Sequence, residues 1–235
     1  MTNHRSKHYL LLGAGFSRNW GGWLASEADE YLLGHPEIDK PVRDILWQYK
    51  RKGGFEAALA HLQHERSNDS RLQSLQNALR QMFADMDKGF RGVRFDFNNE
   101  LKSTISGFLT HFEAIFTLNQ DLLLERHYLN DNVSLMSNGR WNGYHFPGLK
   151  LLKAEFQSLE ENKIWVPDET NFNLPKDAQP YFKLHGSANW QTADSGDLLV
   201  MGGNKSGIIA KYPLLKWYHD QFKEKLSEQI GRAHV

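Results

Sequence analysis

Three short stretches carry residue types able to do chemistry together: "GAGFS" (13–17), "TLNQD" (117–121) and "KLHGS" (183–187). Gly13 and Gly15 flank Ala14 and permit close backbone approach, Ser17 offers a hydroxyl, and amides at a helix start supply further donors for a phosphate. A crowded strand-to-helix turn accounts for the same glycines. Position 18 is Arg18, so the spacing departs from the GxGxxG of nicotinamide-reducing domains. Asn119 and Asp121 follow an apolar run, where an amide can orient a hydroxyl or a water and a carboxylate can accept hydrogen bonds. Both residue types also cap helices, and Thr117 can be a strand residue with a satisfied hydroxyl. His185 stands between a strand-like run and Gly186. Imidazole there can take a hydroxyl proton near neutral pH, and the glycine beside it leaves room for a substrate.

Holding these residues requires strands that end near one another. "HYLLL" (8–12) suits a buried parallel strand, and Trp23 to Leu33 reads as the helix after the glycine turn. From Pro36 to Phe112 apolar residues recur three or four apart, which predicts a helical insertion over 36–112. Strand patterns return at "AIFTL" (114–118), "IWVP" (164–167), "YFKLHG" (181–186) and "LLVMGG" (198–203), with a helix expected over "LLLERHYL". Near the end Tyr218, Phe222, Leu226 and Ile230 recur four apart, so one helix face should pack on the core, with Gly231 as its stop. The fold class expected is α/β, a Rossmann-like parallel sheet with a helical insertion, in one domain over 1–235. Only "RAHV" follows the last helix, so the sheet is expected to be truncated at that end or completed by a partner's strand.

Composition closes off several classes. The 235 residues hold 28 Lys and Arg against 28 Asp and Glu, so no net field gathers nucleic acid or an acidic membrane. There is no cysteine, which removes disulfides, thiol catalysis and thiolate zinc sites. No HExxH or other ligand framework predicts a metal, and Ser187 lacks the GxSxG elbow of a serine hydrolase. The apolar run near the start is too short to span a bilayer, and a cytoplasmic location is expected.

Taken in order, "GAGFS", "TLNQD" and "KLHGS", with the later "VMGGNKSG" and "YPLLKWYHDQF", resemble the SIR2-like, sirtuin-related family of NAD-processing proteins, in particular the bacterial domains of anti-phage systems. The resemblance runs from Tyr9 to the final helix. It implies that NAD is the substrate and that Gly13, Ala14, Gly15 and Ser17 hold its pyrophosphate. Phe16, Asn19, Trp20 and Thr117 are assigned to the same dinucleotide surface, although Trp20 of "NWGG" also reads as a core plug. Asn119 and Asp121 fall near the nicotinamide ribose, and His185 falls on the family's histidine. Lacking the four-cysteine zinc module of deacetylating sirtuins, the chain is expected to be an NAD glycohydrolase that releases nicotinamide and ADP-ribose. The alternatives are a non-catalytic NAD or ADP-ribose sensor and a structural subunit of a defence complex. Expected partners are NAD and either further copies of the chain or a larger defence-system protein, without nucleic acid or membrane.

Overall fold

The computed structural model describes residues 7–65, 70–95, 105–129, 140–152, 163–194 and 196–233, with side chains as far as residue 228. The chain opens with β1 (Tyr9–Leu12), the short helix α1 (Ala14–Arg18) and α2 (Ala25–Gly34). Next come α3 (Lys40–Tyr49), α4 (Gly54–Glu65), α5 (Ser70–Arg91) and α6 (Ile105–Leu109), then β2 (Ala114–Thr117) and α7 (Leu123–His127). The strands β3 (Tyr144–His145), β4 (Leu149–Leu151), β5 (Trp165–Pro167), β6 (Gln179–Lys183), β7 (Gly186–Gln191) and β8 (Asp197–Leu199) follow, and α8 (Lys205–Lys211) leads into α9 (Pro213–Ala233).

One sheet is parallel throughout, in the order β1-β2-β6-β3. β2 and β6 are buried at every position, as strands covered on both faces should be; β2 is apolar up to Thr117, whereas β6 places Tyr181 and Phe182 between a buried Gln179 and a buried Lys183. Phe116 stacks on Phe182 with ring centroids 4.8 Å apart, and Tyr218 of α9 meets Phe182 edge-on at 4.9 Å. The fold is therefore mixed α/β with a parallel sheet. A second sheet, β4-β5-β7-β8, is antiparallel at both outer pairs and parallel between β5 and β7. It was not legible as a separate layer: "LLVMGG" enters it only as Asp197–Leu199, paired antiparallel to β7.

The helical layer begins before the expected boundary at Pro36. Ala28 and Leu32 of α2 share a core with Val42 and Leu46 of α3, Leu59 and Leu62 of α4, and Leu75 and Leu79 of α5. Buried Asp29 joins two of these helices by accepting the Phe55 N–H at 2.6 Å. At the other limit, α6 leaves this layer and places Ile105 and Leu109 in the sheet's core.

Two expectations about the last helix are corrected. Gly231 does not stop it, because α9 continues to Ala233, and a glycine that stays helical lowers propensity without ending the helix. The four-apart stripe also fades. Tyr218 is fully buried and Phe222 partly, but Leu226 is 50% exposed, in an open cavity it lines with Tyr9, Leu10 and Leu11 of the edge strand β1; Ile230 lies outside the described side chains. Among the described residues no helix is long and apolar enough to cross a membrane.

Candidate active site

The register of the parallel sheet decides where the chemistry-bearing residues emerge. Leu12 pairs with Thr117 and Thr117 with Lys183, so three neighbouring strands finish at one level. The ladder runs one step further, as Leu118 N–H donates to the Leu12 carbonyl at 3.0 Å and Leu184 N–H to the Thr117 carbonyl at 2.9 Å. Gly13, Asn119 and His185 consequently leave the sheet side by side at its carboxyl end, where parallel sheets offer their crevices. A cleft of about 330 Å³ opens there. Gly13, Ala14, Asn119, Gln120, Asp121 and His185 form its sheet side, and Trp23, Phe55, Met82, Phe83 and Met86 supply an apolar wall from the helical layer.

Gly13 precedes α1 in an extended conformation, φ −128° and ψ −178°, which any residue can adopt. A Cβ at Gly13 or Gly15 would meet nothing within 4 Å. Neither backbone geometry nor packing demands these glycines, and one inside a helix costs about 0.5–1 kcal/mol relative to alanine. The place of Gly13, which lines the cleft, is explained if something outside the chain comes close. Gly186 is different: it has φ +74°, and a Cβ there would collide with the Leu198 carbonyl. The neighbour that needs its small size is strand β8, which corrects the expectation that Gly186 leaves room for substrate.

The loop "NQD" is the hub of the site. Asn119 N–H donates to Thr117 Oγ1 at 3.0 Å, and Asn119 Nδ2 donates to the Gly13 carbonyl at 3.0 Å and to Ser17 Oγ at 2.9 Å. One amide thus joins β2 to the glycine turn. Gln120, missed in the sequence, does the same for the histidine turn: its Nε2 donates to the carbonyls of Val200 at 2.7 Å and His185 at 3.3 Å. Asp121 Oδ1 accepts the N–H of Leu123, the first residue of α7, at 3.1 Å; it stands one place before the N-cap Leu122, so it satisfies a donor at the helix start without being the cap, and it also faces the cleft.

His185 has its proton affinity pushed down to about 4, first by burial, then by the Lys205 ammonium and by His219, against a smaller opposing pull from Glu56. The ring is neutral near pH 7. Glu56 and Lys205 both border the cleft and pair with each other at 2.5 Å, linking α4 to α8.

Gly15, Phe16, Ser17, Asn19, Trp20 and Thr117 do not line this cleft. Ser17 and Thr117 lie beneath it as buried partners of Asn119, and Asn19 ends α1. Phe16 and Trp20 pack on each other at 5.1 Å, and Trp20 meets Phe95 at 4.9 Å, the core-plugging alternative for Trp20. Trp23 occupies the cleft wall instead. Trp23, Glu56, Met82, Phe83, Met86 and Lys205 carried no signal in the sequence, because helix periodicity marks a packed face without saying which end of it borders a cavity. Among the described residues no group of three or more His, Asp or Glu could hold a metal ion. No protein-family model matches the chain, and no curated protein is significantly similar to it.

Proposed function

We propose that the protein is an NAD glycohydrolase, and we read its parallel sheet as Rossmann-like. One observation carries the proposal: the Gly13–Ala14 turn, whose Gly13 the fold does not need, an amide–carboxylate loop and a neutral imidazole border one cleft at the ends of β1, β2 and β6. The Gly13–Ala14 backbone takes the pyrophosphate, and the nicotinamide ribose lies between Asn119, Asp121 and His185. The C–N bond to nicotinamide breaks with its electron pair leaving on the ring, which departs as neutral nicotinamide. The sugar is left as an oxocarbenium ion. Asn119 Oδ1 and Asp121 orient the ribose, and His185 takes a proton from the water that bonds to the anomeric carbon, giving ADP-ribose. The wall of Trp23, Phe55 and Met82 shelters the leaving ring. In the anti-phage setting that the resemblance implies, such turnover depletes NAD.

The test is incubation of purified, folded protein with NAD, with nicotinamide, ADP-ribose and cyclic ADP-ribose measured separately. Equal release of nicotinamide and ADP-ribose supports the proposal; no release alone and none with added candidate partners overturns it. A second reading, NAD or ADP-ribose binding without cleavage, is favoured by Asn119, whose two Nδ2 hydrogens are both engaged within the protein. Tight binding without nicotinamide release selects that reading.

A further inference from the structure

Lys183 is a lysine with no exposed side-chain surface, at the end of β6 and two residues before His185. Burying an ammonium costs several kcal/mol before any partner is found, and exchanging a buried ion pair for apolar residues is often neutral or stabilising. Stability is therefore a poor explanation for its presence. Its contacts suggest another. Lys183 Nζ donates to the backbone carbonyl of Asp121 at 2.5 Å and to Glu125 Oε1 at 2.6 Å. Glu125 is mostly buried, with 11% of its side chain exposed, and its buried Oε2 has no hydrogen-bond partner among the described residues. The carboxylate thus serves one visible purpose, neutralising the lysine, and the lysine's other bond goes to the loop that shapes the cleft. The near end of that loop is tied to the glycine turn and the histidine turn through Asn119 and Gln120. Lys183 holds the far end from inside the sheet.

We propose that Lys183, paired with Glu125, is a positioning residue of the candidate site: by pinning the Asp121 carbonyl it fixes the Asn119–Asp121 loop at the level of His185. This rests on the proposed site, but its test does not depend on NAD chemistry. The variant is Lys183→Met with Glu125→Leu, which removes both charges together and strands neither. Folding is followed by near-ultraviolet circular dichroism and thermal melting, and loop order by hydrogen exchange of the Asn119 and Gln120 side-chain amides in the absence of any ligand. A folded variant whose amides exchange at least tenfold faster supports the proposal. Parental exchange rates in a folded variant overturn it. If NAD is hydrolysed, kcat is expected to fall about tenfold or more with KM little changed, since misplaced groups lose rate before binding. If the parent hydrolyses no NAD but the amides respond, positioning stands and the proposed function fails. Should the double variant not fold, the parent decides: a Lys183 ammonium held in two buried bonds gives slowly exchanging protons by NMR, and rapid exchange overturns the proposal.

Discussion

At His185, burial and the Lys205 charge keep the imidazole deprotonated well below neutrality, so a base is available at any physiological pH. NAD turnover is expected to show no acid limb from this group between pH 8 and pH 5. His185→Ala is expected to lower turnover by about 10²–10⁴-fold in a folded protein, measured by nicotinamide release. Stability carries the same signature. The unfolded imidazole titrates near 6.5 and the native one near 4, so the unfolded chain takes up the proton first. This contribution to stability is complete above pH 6.5 and is lost as pH falls toward 4. His185→Asn should flatten that decline, which urea midpoints at pH 7 and pH 5 will reveal. At Gly13, where a Cβ meets nothing, Gly13→Ala should leave the melting temperature unchanged or slightly raised while weakening NAD binding in calorimetry. Unchanged affinity would remove the glycine turn from the binding site.

Between elements, the helical layer is fastened to the sheet by a few buried polar joints. Asp87 of α5, almost fully buried, receives a two-pronged bond from Arg126 of α7, with Arg91 more distant at 3.8 Å. Arg126→Met leaves that carboxylate with the distant arginine and should destabilise by roughly 3 kcal/mol, read from denaturant midpoints. The sheet's inner strands respond to volume. Phe116 touches Phe182 and Phe222 and is 1% exposed, so Phe116→Ala should cost about 3–5 kcal/mol. Both elements were legible in the sequence, "AIFT" from its continuous apolarity and α5 from its helical period. Their joint was not. Asp87 reads as one more polar residue on an amphipathic helix, and its partner lies 39 residues away.

Across the molecule, the cleft exists because two layers with separate cores face each other, and the Glu56–Lys205 pair crosses from one to the other. Their charges act on His185 in opposite directions. Lys205→Met should move the His185 titration toward its ordinary value and Glu56→Gln should move it further away, shifts measurable by NMR titration without any substrate. The sequence by itself determined β1, β2 and most of β6, the helical block, and that Gly13, Asn119, Asp121 and His185 follow strand ends, because apolar period and turn chemistry are local properties; the two-residue parallel strand β3 is too short to leave such a pattern. It could not determine that Gly186 serves β8, that Trp23 and not Trp20 borders the cleft, that α9 runs through Gly231, or that Lys183 is buried beneath Asp121. Tertiary structure decided these, for one physical reason: strand register and layer packing set which distant atoms meet, and no residue carries that distance in its own chemistry.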